Sequence, residues 1–161
     1  IEEHGGEPVI TPVGSPIIAR KMMEVDAILG GEGNGGIIFP EHQYCRDGMM
    51  TAAKMVEIVT NKGELSQQVD ALPKYYLRRG RIQIPPAKTS RIMKRVREEA
   101  QGDVLDIDGI KIISQDHWVL VRPSGTEPIL RVTVESSSEN NSKKLLNDNL
   151  NWVKEIIQDL S

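Results

Sequence analysis

His117-Trp118-Val119-Leu120-Val121 runs into Arg122-Pro123-Ser124-Gly125-Thr126-Glu127-Pro128, and Ile129-Leu130-Arg131-Val132-Thr133-Val134 leaves it. The two flanking runs are rich in β-branched and aromatic residues and read as strands. The seven residues between them lack the Asn-Gly or Asp-Gly pair of a tight hairpin tip. They suit an anion instead. Arg122 offers a planar fork of donors that matches phosphate oxygens two at a time. Ser124 and Thr126 add hydroxyls, and Gly125 lets the backbone turn its amides toward a ligand. The alternative is a hairpin loop whose hydroxyls bond their own backbone.

Working outward, Val104–Ile107 and Ile110–Ile113 are further strands, and Asp108-Gly109 between them is a strong hairpin signal. Short links between consecutive strands predict antiparallel neighbours. A basic helix is predicted over 87–101, with Ile92, Met93, Val96 and Ala100 on its inner face. A closing helix is predicted over 141–160, where Leu145, Leu146, Leu150, Trp152, Val153, Ile156, Ile157 and Leu160 form an apolar stripe. Two helices and an antiparallel sheet make a small α+β domain. Upstream, 63–72 allows a short helix closed by Pro73, and 74–84 reads as an extended connector leading into a strand. Arg78, Arg79 and Arg81 in that connector are a solvated linker or an anion-steering patch.

The first half alternates strands with helices. Glu7–Thr11 is a short β-branched strand, Ser15 caps a helix with Pro16 at its first position, and Asp26–Leu29 returns as a strand. Gly30-Gly31-Glu32-Gly33-Asn34-Gly35-Gly36 follows, then extended Ile37-Ile38-Phe39-Pro40. Asp47-Gly48 opens a helix through about Asn61 that is apolar on more than one side, as in a helix packed between layers. This order predicts a βαβ-type α/β layer domain.

The glycine loop formally contains the Gly-x-Gly-x-x-Gly of dinucleotide sites, at Gly31, Gly33 and Gly36. That motif needs a helix to open inside it, and a strand ending in proline follows instead. The loop does hold a carboxylate, Glu32, and an amide, Asn34, between residues without bulk, which suits sugar hydroxyls. A mobile glycine loop with a solvated Glu32 is the competing reading.

The totals narrow the class. The 161 residues could form one ordinary domain or two small ones, with 39% apolar and 27% charged residues, typical of a globular chain. A net charge of −3 argues against broad electrostatic binding of nucleic acid. Cys45 is the single cysteine, so no intrachain disulfide exists, and a reducing, cytoplasmic location is expected. No apolar run has the length of a membrane span. Ile1-Glu2-Glu3-His4-Gly5-Gly6 lacks an initiator Met and reads as a helix end, so the chain is expected to be cut from something longer.

Two motifs carry a family resemblance. Val121-Arg122-Pro123-Ser124-Gly125-Thr126-Glu127-Pro128 resembles the phosphate-binding loop of the C-terminal domain of the α-D-phosphohexomutases, the superfamily of phosphoglucomutase, phosphomannomutase and phosphoglucosamine mutase. The glycine loop, its strand, then Arg46-Asp47-Gly48 and a long helix resemble the sugar-recognition segment of that family's third domain. The resemblance implies most of domain 3 over residues 1–77, truncated at its start, and a complete phosphate-binding domain 4 over 78–161. It places sugar contacts on Glu32 and Asn34 and phosphate contacts on Arg122, Ser124, Gly125 and Thr126. Many bacterial relatives carry Ser where Asn34 stands, His where Gly36 stands, and often His at the position of Ser15. Acid–base roles given to those histidines therefore do not transfer, and His42 is a weak stand-in.

The family reaction moves a phosphoryl group between the 1- and 6-hydroxyls of a hexose through a hexose 1,6-bisphosphate. A phosphoserine of domain 1 and a Mg²⁺ held by aspartates of domain 2 assist. The implied partners are a hexose phosphate and the upstream domains 1 and 2. This chain shows no phosphoserine-type loop, and Asp103-Val104-Leu105-Asp106-Ile107-Asp108 has apolar spacers rather than the metal-binding pattern. No catalytic or metal-ligating residue is assigned, and the chain alone is expected to be inactive. A stand-alone sugar-phosphate or anion-binding module is the alternative; a purely structural interaction protein would leave Arg122 and the glycine loop unexplained.

Overall fold

A computed structural model describes residues 5–160. Of the helix end expected over Ile1–Gly6, the first four residues lie outside those described. The chain divides into two compact units, Ile1–Pro73 and Lys74–Ser161.

In the first unit, helix α1 spans Ser15–Val25 and packs Ile18, Ala19 and Met22 against Ile38, all buried. Its cap is Gly14 rather than Ser15. Gly14 takes φ 136 and its carbonyl accepts from the Ile17 and Ile18 amides, while Ser15 makes no capping bond. A residue at that dihedral must be glycine in practice, and it turns the chain into the helix without a side-chain oxygen. Asp26 closes α1 in the left-handed region at φ 53. The expected strand over Asp26–Leu29 is therefore delayed to β1, Gly30–Gly31, which pairs antiparallel with β2, Ile37–Phe39. Strand β3, Gln43–Arg46, completes a three-stranded antiparallel sheet in the order β1-β2-β3. The approach of α1 is close: a Cβ on Gly30 would run into Met22 Sδ. The strand expected over Glu7–Thr11 does not form. Val9 and Ile10 stay exposed, and among the described residues no strand lies beside them to satisfy their backbone.

Helix α2, Gly48–Lys62, and helix α3, Leu65–Asp70, follow. The expectation that α2 is buried between layers is not met among the described residues. None of its residues is buried, and Met49 is 85% exposed. The apolar pattern marks surface able to pack, yet of its apolar residues only Met50, Met55 and Ile58 are even half-buried.

The second unit is a five-stranded antiparallel sheet ordered β4-β8-β7-β6-β5, with β4 Tyr76–Gln83, β5 Asp103–Leu105, β6 Ile110–Ile113, β7 His117–Pro123 and β8 Ile129–Ser136. A 3-10 turn, Pro86–Lys88, leads into α4, Thr89–Glu99. Helix α5, Glu139–Asp159, is capped by the Ser138 hydroxyl, which accepts from Asn141 N–H. Both helices contribute to one core. Ile92 and Val96 of α4 and Val153 and Ile156 of α5 join Val119, Val121, Leu130, Val132 and Val134. Strand alternation gives the sheet a helix-covered face and a helix-free face. Gly80 sits under α5, where a Cβ would come within 2.9 Å of Leu150 Cδ1.

The expected connector over 74–84 is mostly strand. Arg78, Arg79 and Arg81 belong to β4, which pairs along its whole length with β8. Arg78 turns to the helix side, where it donates to Ser142 Oγ at 3.0 Å and to Glu139 at 3.1 Å. Lys143, and with it Arg78, holds the Glu139 carboxyl below its ordinary pKa.

Candidate functional site

The anion-loop residues sit between β7 and β8. Arg122 lies at the end of β7, where its NH1 donates to Asp108 Oδ2 at 2.6 Å. Asp108 belongs to the β5–β6 turn, with φ 58, followed by Gly109 at φ 117. The turn is pressed against β7: a Cβ on Gly109 would lie 2.6 Å from the Val121 carbonyl oxygen. Asp108 therefore grips one nitrogen of Arg122 and leaves Nε and NH2 for another acceptor.

Ser124 N–H donates to Ile129 O at 2.9 Å and Ile129 N–H to Glu127 O at 2.8 Å, which closes the loop. Among the described residues, the amides of Gly125 and Glu127 are left without an acceptor. Gly125 does not adopt a positive φ, so its backbone does not demand glycine. What glycine supplies is space, since nothing lies within 4 Å of where its Cβ would be. The Ser124 hydroxyl is partly engaged inside the molecule. It accepts from Arg131 NH2 at 3.3 Å and lies 3.5 Å from the Thr126 amide. The competing reading of a self-bonded loop thus describes Ser124, whereas the Thr126 hydroxyl makes no bond among the described residues.

Arg131 is the residue the sequence reading passed over. It is directly opposite Arg122 across β7 and β8, on the same sheet face, and also donates to Glu127 at 3.2 Å. Its signal was its place in the alternation of β8, three residues after Pro128, where its neighbours Leu130 and Val132 point inward. Two arginines side by side repel, which Asp108 and Glu127 relieve at the rim. An anion placed between them would relieve it further.

Glu32 and Asn34 share the β1–β2 turn. Glu32 N–H donates to Gly36 O at 2.9 Å, and Gly35 N–H to Glu32 O at 3.0 Å. Asn34 Oδ1 accepts from Gly36 N–H at 3.0 Å, so its oxygen shapes the turn and its Nδ2 remains a free donor. The Glu32 side chain is only 12% exposed and lies 3.5 Å from Arg46 NH1 on β3. This ion pair holds the carboxylate in place with its second oxygen unclaimed.

His42 is not part of either loop. Its Nδ1 donates to Asp47 Oδ2 at 2.8 Å, since a carboxylate can only accept. Asp47, 8% exposed, is a hub: it also accepts from Gln43 Nε2 at 2.9 Å and caps α2 through Met50 N–H at 2.8 Å. The Met50 bond is the main cause holding its carboxyl below the ordinary 3.8; burial pushes the other way, and His42 and Gln43 reinforce the lowering. A lowered folded pKa contributes stability above about 3.8, lost as pH falls through the folded value. Protection of the Met50 and Thr51 amides in hydrogen exchange is expected to fall on acidification below that point. Asp47→Asn is expected to lower protection at neutral pH and to flatten its acid dependence, because an amide NH₂ faces the His42 and Gln43 donors. Parallel pH profiles for the two proteins would contradict the assignment.

Among the described residues no group of three or more His, Cys, Asp or Glu is arranged to hold a metal. Asp106 is taken by Arg97 at 2.9 Å and Asp108 by Arg122. With those carboxylates engaged by arginines, the described residues do not fit a Mg²⁺ ion.

Residues 1–76 match the family model described as phosphoglucomutase/phosphomannomutase, alpha/beta/alpha domain III, and residues 59–151 match that of the phosphoglucomutase/phosphomannomutase C-terminal domain. A phosphoglucosamine/phosphogalactosamine mutase of Sulfurisphaera tokodaii is 42% identical over 86% of this chain and 31% of its own length. A phosphoglucomutase/phosphomannomutase of Thermococcus kodakarensis is 40% identical over 98% of this chain and 35% of its own. The crystal structure of a phosphoglucomutase/phosphomannomutase family protein from Burkholderia thailandensis superposes with a TM-score of 0.81 at 26% identity, covering 96% of this chain and 34% of that one. The chain thus spans about a third of the length of the curated relatives it matches.

Proposed function

Because the chain belongs to the phosphoglucomutase/phosphomannomutase family, we propose that it supplies the phosphate-holding and hydroxyl-reading parts of an enzyme that moves phosphate between the 1- and 6-positions of a hexose. The observation that carries this is the β7–β8 loop. It brings together two facing arginines, two hydroxyls and two amides without an acceptor among the described residues at one end of the β7–β8 pair. A phosphate monoester takes the free Nε and NH2 of Arg122, the Gly125 and Glu127 amides and the Thr126 hydroxyl. Arg131 and Ser124 exchange their mutual bond for the ligand.

In the first unit, the fixed carboxylate of Glu32 accepts from a sugar hydroxyl, and Asn34 Nδ2 donates to one. Neither loop contributes a nucleophile. Their work is to bind groups away from the reacting centre, and that binding energy positions the transfer. The phosphoserine, the Mg²⁺ and the bisphosphorylated intermediate of the family's chemistry belong, on this reading, to other domains. The chain alone is then inactive, and a cytoplasmic location suits its sugar-phosphate substrate. Which of glucose, mannose or glucosamine phosphate is preferred depends on the hydroxyl contacts of Glu32 and Asn34.

Glu32→Gln in the intact enzyme is expected to lower turnover about 10-fold or more while leaving the melting temperature nearly unchanged. The Arg46 pair it removes is half exposed on one side and weak. Steady-state kinetics beside a thermal melt reads both. Normal turnover with a large drop in melting temperature would assign Glu32 to structure instead.

A further inference from the structure

The arginine pair under the loop is part of a longer row. Arg81 on β4 is directly opposite Arg131 on β8, and Arg131 is directly opposite Arg122 on β7. In-register partners of an antiparallel sheet point to the same side, so all three project from the helix-free face. Burial confirms the phase: Ile82, Val132 and Val121, each one residue away, are buried, and Arg81 is exposed. The three guanidiniums occupy neighbouring strands spaced about 5 Å apart.

Arg122 is balanced by Asp108 and Arg131 by Glu127. The Arg81 side chain forms no ion pair or hydrogen bond with any described residue. Its neighbours on that face are Arg79 and Gln83 along β4, and Arg131, Thr133 and Ile129 along β8. None is acidic. Within the row, three cations against two carboxylates leave the Arg81 charge uncompensated at the strand that borders the loop. That border is direct, because Ile84 N–H donates to the loop's Pro128 carbonyl at 2.9 Å. Like charges in register cost stability, and the row makes chemical sense as a bed for a dianion.

We propose that Arg81 is a third cationic contact of the anion site, recognising the phosphate group of a hexose phosphate together with Arg131 and Arg122. The inference rests on the phosphate-holding role of the β7–β8 loop and extends that site by one strand. Arg79, opposite Thr133 and one pair further from the loop, lies outside it.

The test is calorimetric titration of the 161-residue chain with glucose 6-phosphate and with inorganic phosphate, circular dichroism first establishing that each variant is folded. Arg81→Ala is expected to weaken both ligands about 5-fold, and Arg81→Lys to stay within about 2-fold of the parent. Arg79→Ala is expected to change little. Parent-like affinity in Arg81→Ala, with Arg122→Ala impaired, would overturn the role of Arg81 while leaving the loop's role intact. An equal loss in Arg79→Ala would reduce Arg81 to diffuse surface charge and also overturn it. Parent-like affinity in Arg122→Ala as well would remove the phosphate site and Arg81's part with it.

Discussion

Arg122→Ala is expected to weaken hexose phosphate binding by roughly 1.5–3 kcal/mol, a loss on the order of 10- to 100-fold. The side chain is held ready by Asp108 at 2.6 Å, so the free protein has already met part of the cost of ordering it. Removing it takes away a charge-assisted fork and leaves the Asp108 carboxylate unbalanced beside the ligand. The second effect is separable: Arg122→Ala with Asp108→Asn is expected to regain part of the loss. Asn tolerates the left-handed dihedral at that position. Arg122→Lys keeps the charge but not the planar fork, and is expected to fall between. Calorimetric titration of the folded variants with glucose 1-phosphate and glucose 6-phosphate checks this. Unchanged affinity in Arg122→Ala would remove the phosphate assignment.

Gly109→Val is expected to destabilise the second unit by about 2–4 kcal/mol. For a domain of this size the corresponding fall in melting temperature is about 10–25 °C. Two causes act together. The residue sits at φ 117, which a β-branched side chain resists, and its Cβ would meet backbone, with Val121 O at 2.6 Å and Arg122 Cα at 3.0 Å. Neither neighbour can swing aside, since both belong to β7, an interior strand. The same collision displaces Arg122 and Asp108, so phosphate affinity is expected to fall even where the variant is fully folded. A melting temperature within about 2 °C of the parent would show that the turn and β7 have room to separate.

Much of the second unit was legible in the chain. Asp108-Gly109 announced its turn because αL dihedrals favour Asp-Gly over most other pairs. The stripe from Leu145 to Leu160 announced α5 because an apolar face at helical spacing needs one partner surface. Both are local properties. The first unit was less legible, since Val9 and Ile10 have the composition of a strand with no strand beside them among the described residues. The helix α2 has the composition of a buried element although none of its residues is buried here.

By itself the sequence placed the two loops, the residue types within them and the strands on either side of the β7–β8 loop. Only the tertiary structure decided what joins those elements. Arg78, Arg79 and Arg81 look like a linker because nothing within ten residues pairs with them. Their partner is β8, about fifty residues later in the chain, and that pairing turns a run of arginines into an edge strand with alternating fates. It also set Arg81 beside Arg131 and Arg131 beside Arg122. A strand's period of two says which residues share a face; which other strand lies alongside depends on non-local backbone hydrogen bonds that no local pattern encodes.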